Sequence, residues 1–236
     1  MMLSFSCSGI SCSSSGHLPS EGKLDARISQ DEIGPVYDKL AGLYDIWGRL
    51  TESRARSRAT ELAAIKDGQN ILEVAVGTGL AFYEIVKRNP HGHNAGIDVS
   101  KGMLDKARKR LSKLAGARYV LRTGTAFDLQ MENESVDLLM NNYMFDLIAY
   151  ADMDKVLEEF KRVLKKGGRL ILVNMTKGER LGSKLYDFIY ILSPKAMGGC
   201  RGVQLTEKLK QHGFTVEARE YCQQMLFPSE IIAAHK

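Results

Sequence analysis

The feature that most constrains the fold of this chain is a regular alternation of short apolar runs and amphipathic segments between residues 70 and 174. Short apolar runs predict strands, and apolar residues that recur at helical spacing predict helices. The predicted elements are strands at 70–76, 94–98, 117–122, 135–141 and 169–174 and helices at 81–88, 101–114 and 153–165. This alternation predicts a parallel sheet with helices on both faces.

The C-terminal part departs from the alternation. A predicted helix at 204–211 is followed by two β-rich runs, at 214–221 and 225–233. The residues between the two runs are too few for a helical crossover, so we expect the runs to pair antiparallel. The chain therefore predicts an α/β fold, with a mostly parallel seven-stranded sheet that ends in an antiparallel hairpin.

Composition places the chain among ordinary globular proteins. Of its 236 residues, 44% are hydrophobic and 26% are charged. The sequence has no run of about 18 apolar residues that could cross a membrane as a helix. The net charge of +5 is spread along the chain, and we expect no nucleic-acid partner. The four cysteines include no CxxC pair, which predicts reduced thiols, a cytoplasmic location and no metal site.

We predict that residues 1–32 are a disordered leader and that residues 33–236 form one domain. The first 20 residues are rich in serine and carry no charge, so they lack the basic start and apolar core of a signal peptide. Within the domain, residues 33–66 predict two helices in front of the first strand, because apolar residues recur there at helical spacing.

The string ILEVAVGTGL at 71–80 indicates a ligand site. A buried strand that contains Glu73 runs into Gly77, Thr78 and Gly79, and the chain then turns directly into a helix. Glycine lets the backbone approach a ligand closely, and open α/β sheets bind ligands at the carboxyl ends of their strands. A tight strand–helix turn without a ligand would show the same glycines.

Two residues near this turn narrow the class of ligand. Asp98 ends the second strand 21 residues after Gly77, the place from which a carboxylate accepts hydrogen bonds from a ribose diol. A helix-capping aspartate is the alternative. Phe82 occupies the position where a dinucleotide-binding turn needs a small residue. Its ring argues against an NAD-dependent oxidoreductase and for an adenosine ligand without a diphosphate.

Together these segments resemble the class I S-adenosylmethionine (SAM)-dependent methyltransferases. Residues 71–80 are similar to the first motif of that family, ExxxGxG. Its second-, third-, fourth- and fifth-strand motifs are resembled by residues 95–108, 122–129, 136–148 and 162–174. The resemblance spans residues 33–236 and implies a Rossmann-like fold, SAM (S-adenosyl-L-methionine) as cofactor and methyl transfer as the activity.

The resemblance also implies a set of cofactor-binding residues in the core of the domain. These are Glu73, Gly77, Thr78, Gly79, Asp98, Val99, Met103, Thr125, Ala126 and Asn141. Asp98 would bind the ribose, and Met103 would pack on the adenine. Thr125 stands where the family commonly has an acidic residue against the adenine amino group. Asp128 or backbone groups around Ala126 are the alternatives for that contact.

Residues 37–45 are similar to the N-terminal helix of the branch that methylates quinones and phospholipid amines. The resemblance implies that this segment folds over the cofactor, with Tyr37 and Tyr44 near its methionine end. Ordinary amphipathic packing of the two tyrosines is the alternative.

Methyl transfer determines what the acceptor site must supply. A sulfonium donor leaves as a neutral thioether, so the protein needs no acid and mainly aligns the acceptor. Residues 141–146, just past the fourth strand, are expected to face the methyl group. Asp146 is our candidate for a base or for an anion that steadies a cationic amine, and Tyr143 for orienting the acceptor. Helix capping and packing are the respective alternatives.

Residues 178–202 form an insert after the fifth strand that we expect to select the acceptor. Its apolar stripe, flanked by Lys and Arg, fits a lid over an apolar substrate, a helix in peripheral contact with an anionic membrane or a helix that covers the core. We therefore predict a methyltransferase for a small, partly apolar acceptor, such as a lipid, quinol or amine. The alternatives are a methyltransferase for protein side chains and a non-catalytic SAM-binding subunit.

Overall fold

The computed structural model describes residues 48, 50–114, 116–176, 202–225 and 227–236. The predicted leader at 1–32, Tyr37, Tyr44 and nearly all of the predicted insert at 178–202 lie outside the described residues. The second of the two helices predicted within 33–66 is present, over Ser53–Leu62.

The described part of the chain contains a seven-stranded sheet in the order β3-β2-β1-β4-β5-β7-β6. The strands are β1 Asn70–Val74, β2 His93–Asp98, β3 Tyr119–Thr123, β4 Val136–Asn142, β5 Leu164–Met175, β6 Thr215–Gln224 and β7 Phe227–His235. Strands β1 to β5 pair in parallel, whereas β7 runs antiparallel to both β5 and β6. The predicted parallel sheet with an antiparallel hairpin is confirmed. The carboxyl ends of β1, β2 and β4 meet at one edge of it.

Helices cover both faces of this sheet. They are α1 Ser53–Leu62, α2 Leu80–Arg88, α3 Lys101–Leu111, α4 Met153–Val163 and α5 Thr206–Gln211. One apolar cluster joins α1, α2 and α3 to one face, and a second joins α4 and α5 to the other. The side chains of β1 alternate accordingly, since Ile71 packs in the first cluster and Leu72 and Val74 pack in the second.

The end of α4 lies earlier than the sequence predicts. We predicted a helix through residue 165, closed by a pair of glycines, but the helix ends at Val163 and the backbone of Leu164 is already extended. Leu164 pairs with Val136 of β4. Sheet pairing therefore overrides the helix propensity of the two lysines that follow, and β5 reaches a length of 12 residues.

Phe160 links α4 to the loop beyond β4. Its ring is fully buried and meets the ring of Phe145 edge to face, with 5.9 Å between the centroids. Phe160→Ala should lower the free energy of unfolding by about 3–5 kcal/mol, because it leaves a cavity in the core. Urea unfolding measures the change. The control is Glu158→Ala at an exposed position of the same helix, which should change the free energy by less than about 0.5 kcal/mol. Similar losses in both variants would contradict the packing argument.

Candidate cofactor site

The turn between β1 and α2 is built from left-handed backbone. Ala75, Gly77 and Gly79 have φ values of +60°, +56° and +79°, a conformation that suits glycine and strains alanine. A Cβ on Gly77 would meet no atom within 4 Å, whereas a Cβ on Gly79 would lie 2.9 Å from the Cβ of Ala107 on α3. Gly79 therefore allows α2 and α3 to pack closely, and Gly77 leaves open space beside the turn.

Asp98, at the end of β2, holds this turn in place. Its Oδ2 accepts a hydrogen bond from the Gly77 N–H at 2.7 Å, and its Oδ1 accepts one from the Ser100 N–H at 2.9 Å. The Ser100 hydroxyl in turn accepts from the Met103 N–H at 3.0 Å, as expected of the residue that caps α3. Because Asp98 is only 8% exposed, these contacts lie in largely dry surroundings.

A cavity of about 290 Å³ opens beside the turn, at the carboxyl ends of the strands. Its lining consists of Val74, Ala75, Gly77, Ile97, Asp98, Val99, Met103, Gly124, Thr125, Ala126, Phe127, Asn142, Tyr143, Met144, Leu147 and Ile148. Most of these side chains are apolar, and Asp98 contributes a negative charge. A second cavity, of about 480 Å³, lies at the opposite edge of the sheet, and no predicted site residue borders it.

The structure brings seven of the predicted site residues together at the first cavity. They are Gly77, Asp98, Val99, Met103, Thr125, Ala126 and Tyr143. The other predicted residues in the described ranges do not border it, namely Glu73, Thr78, Gly79, Asn141 and Asp146. Two of these make hydrogen bonds close behind the residues that line the cavity. The C=O of Thr78 accepts from Arg110 Nε at 2.9 Å, and Asn141 Nδ2 donates to the C=O of Val74 at 2.8 Å.

The segment after β3 forms the wall at which we predicted the adenine contact. Thr125 and Ala126 line the cavity together with Phe127. Asp128, the alternative acidic residue, is exposed and does not border the cavity, and its Oδ1 accepts from the Gln130 N–H at 3.1 Å. The polar groups of this wall are therefore those of Thr125 and of the backbone around Ala126.

Glu73 places a buried carboxyl group behind the turn. Its Oε1 accepts from Asn142 Nδ2 at 3.0 Å, and its Oε2 has no hydrogen-bond partner among the described residues. Burial raises the pKa of Glu73 from 4.5 to about 8, opposed by the Asn142 hydrogen bond and the positive charge of Arg56. The negative charge of Asp98 adds to the rise. Glu73 is thus largely protonated at neutral pH.

Tyr143 forms part of the wall beyond β4. Its backbone is left-handed, with a φ of +53°, and its N–H donates to the C=O of Val173 at 2.7 Å. The hydroxyl lies 2.8 Å from the Oγ of Ser229 on β7. Burial raises the pKa of Tyr143 well above its ordinary value of 10, so the phenol remains protonated and does not act as a base at neutral pH.

Sequence reasoning missed several residues of the cavity wall. Ala75 is one, because nothing in the sequence shows that its backbone is left-handed. The others include Phe127, Leu147 and Ile148, which lie in short segments where apolar residues follow no period, whereas Met144 falls within the expected range 141–146. Their one signal is position, since each follows a predicted strand whose carboxyl end was expected at the site.

The described side chains show no metal site. No group of three or more His, Cys, Asp or Glu residues in the described ranges could hold a metal ion. Instead, three histidines each place a ring nitrogen against a single carboxylate, His91 at 2.7 Å from Asp67, His212 at 2.9 Å from Asp154 and His235 at 2.7 Å from Glu217. No helix in the part of the chain that the structure covers is long and apolar enough to cross a membrane.

Comparison with known proteins decides the family. A family model described as a methyltransferase domain matches residues 65–212. The chain belongs to the methyltransferase family. It is a SAM-dependent methyltransferase, as the sequence motifs implied, and its cofactor is SAM.

The chain is 26% identical over 206 residues to the demethylmenaquinone methyltransferase of Thermotoga maritima, a match that covers 77% of this chain and 87% of that protein. It is 31% identical over 152 residues to the 2-phytyl-1,4-naphtoquinone methyltransferase of Synechococcus elongatus, covering 61% of each protein. The fold is similar to that of geranyl diphosphate methyltransferase in complex with GPP and sinefungin. That match has a TM-score of 0.63 and 16% identity and covers 78% of this chain and 77% of the other.

The residues around the cavity fit SAM. The turn leaves open space beside Gly77, where a side chain would intrude. Asp98 presents a carboxylate of fixed orientation to the cavity, as a ribose diol requires. Met103 and Phe127 provide apolar surface for a flat base.

Asp98→Ala should raise the Kd for SAM at least about tenfold, because a hydrogen bond to a charged group contributes about 1.5–3 kcal/mol. Titration calorimetry with SAM and with its demethylated product measures the change. Asp105→Ala is the control, since Asp105 is an exposed partner of Arg108 on α3. Unchanged affinity in Asp98→Ala would place the cofactor elsewhere.

Glu73→Gln should change how stability depends on pH. Because the pKa of Glu73 rises from 4.5 to about 8 on folding, the folded protein holds a proton that the unfolded chain loses across that range. The free energy of unfolding of the parent should therefore fall as pH rises across this range. Relative to the parent, the free energy of unfolding of Glu73→Gln should rise by up to about 1.4 kcal/mol per pH unit. Urea unfolding at several pH values measures this, with Glu158→Gln as the exposed control. If the free energies of unfolding of Glu73→Gln and the parent depended on pH in the same way, the pKa of Glu73 would not be raised in the folded protein.

Proposed function

We propose that the protein transfers a methyl group from SAM to a ring carbon of a reduced quinone, within the wider class of small, partly apolar acceptors. The observation that carries this proposal is the similarity to two enzymes whose names give demethylmenaquinone and 2-phytyl-1,4-naphtoquinone as substrates. The first of these matches covers most of both chains.

The cavity wall beyond β4 supports an acceptor of this kind. Met144, Leu147 and Ile148 are apolar, and Tyr143 adds an aromatic ring. Mostly apolar walls with a few polar groups are typical of sites that bind small, partly apolar ligands. Asn142 and Tyr143 border the cavity at the carboxyl end of β4, and we expect them to orient an acceptor oxygen from there.

Transfer to a ring carbon depends mainly on alignment. SAM, when bound, supplies a methyl group on a positively charged sulfur. The acceptor carbon forms its bond to the methyl group as the methyl–sulfur bond breaks, and that electron pair stays on the sulfur, which becomes a neutral thioether. The ring carbon then loses its hydrogen as a proton to water, which restores the aromatic ring. In this scheme the chain's own residues orient the acceptor and keep the cavity apolar.

A transfer assay with methyl-labelled SAM tests this proposal. The acceptor is a prenylated 1,4-naphthoquinone that lacks the ring methyl group, supplied either reduced with dithionite or oxidised. We expect label in the organic phase with the reduced form only, because the electron-rich ring is the nucleophile. Asp98→Ala should remove most of the transfer, and Asp105→Ala should retain it.

The same assay with cell extract in place of the quinone separates the alternatives. Label in the protein pellet would support transfer to protein side chains, and label in the aqueous phase would support a polar acceptor. Either result, without label from the reduced quinone, overturns the quinone proposal. Binding of SAM without transfer to any fraction would support a non-catalytic subunit.

A further inference from the structure

Asp146 is fully buried, and its carboxylate holds the last residue of β5. It lies in a single 3-10 turn, Phe145–Leu147, that follows β4. Both of its carboxylate oxygens accept from the N–H of Met175, at 3.0 and 3.1 Å. In the sequence this residue is our candidate for a base or for an anion that steadies a cationic amine, with helix capping as the alternative; in the structure it faces a backbone donor and does not border the cavity.

Met175 is the point at which several segments meet. Its C=O accepts from the N–H of Val203 at 2.8 Å, and it stands opposite Ser229 in the pairing of β5 with β7. The Oγ of Ser229 lies 2.8 Å from the Tyr143 hydroxyl. Tyr143 and Asp146 belong to the same short loop, so the two side chains connect that loop to one place on the sheet.

These two contacts, Asp146 with Met175 and Tyr143 with Ser229, hold a loop whose backbone is strained at Tyr143. The backbone of Tyr143 is left-handed, a conformation that is unfavourable for a residue other than glycine. Such conformations persist where the surroundings hold them. Tyr143, Met144, Leu147 and Ile148 from this loop all line the cofactor cavity, so its position determines the shape of one side of the site.

We propose that Asp146 is a positioning residue, whose hydrogen bonds to Met175 fix the loop beyond β4 against β5 and thereby shape the cofactor cavity. It acts through the backbone and not as a base toward the acceptor. The proposal rests on the proposed function only in that SAM occupies this cavity, and its test requires no acceptor.

The test compares Asp146→Ala with Asp146→Asn in binding SAM and the demethylated product, S-adenosylhomocysteine. An asparagine oxygen can still accept from the Met175 N–H, whereas alanine cannot. We expect Asp146→Ala to raise both Kd values about tenfold and by similar factors. Asp146→Asn should keep both within about threefold of the parent. Asp105→Ala and Asp105→Asn on exposed α3 are the matched controls.

Comparing the two ligands distinguishes a positioning role of Asp146 from an effect of its charge, because SAM carries a sulfonium and S-adenosylhomocysteine does not. If Asp146 acted through its charge, Asp146→Asn would weaken SAM and spare the product, and the proposal would be overturned. A residue that only adds stability would lower the melting temperature and leave both Kd values unchanged in Asp146→Ala, which also overturns it. If the parent itself fails to bind SAM, the assigned cofactor site fails first, and that result is distinct.

Hydrogen exchange gives a readout at the bond itself. Exchange of the Met175 amide should accelerate in Asp146→Ala and remain near the parental rate in Asp146→Asn. If Asp146→Ala does not fold, Asp146→Asn carries the test by itself, because it removes the charge and keeps an acceptor for the Met175 N–H. In Asp146→Asn both Kd values and the exchange rate of the Met175 amide should stay near those of the parent, and a loss of affinity confined to SAM would contradict the proposal.

Discussion

The hydrogen bond from the Gly77 N–H to the Asp98 carboxylate is the contact on which the cofactor cavity depends. It joins the turn after β1 to the end of β2, across 21 residues of chain and in surroundings that contain little water. The Ser100 N–H gives the same carboxylate a second donor and fixes its direction. Folding therefore orients the charge before a ligand arrives, which reduces the entropy lost on binding.

Some of the features that cost stability lie around this contact. Ala75 and Tyr143 border the cavity with left-handed backbone, and Glu73 keeps a carboxyl group in a buried position behind it. The two apolar clusters on the faces of the sheet offset these costs. Backbone strain and a buried carboxyl group beside a cavity are typical of a site whose geometry serves a ligand.

The parts of the fold that depend on local pattern could be predicted from the sequence. The alternation of strands and helices predicted the sheet. The glycine turn and its spacing to Asp98 indicated the class of cofactor, and each of these patterns lies within a short stretch of sequence. The bond between Asp146 and Met175 could not be predicted, because it joins residues 29 positions apart that no motif relates. The early end of α4 at Val163 was missed for a similar reason, since it is pairing with β4 that draws Leu164 into the sheet.

The bond between the Met175 C=O and the Val203 N–H has a consequence for how such proteins diverge. It holds Met175, the last residue of β5, beside Val203, which comes three residues before the start of α5. When the ends of a segment are already held side by side, each doubling of its length costs only about 0.6 kcal/mol. We therefore expect β5 and β7 to keep their register when the number of residues between Met175 and Val203 is changed.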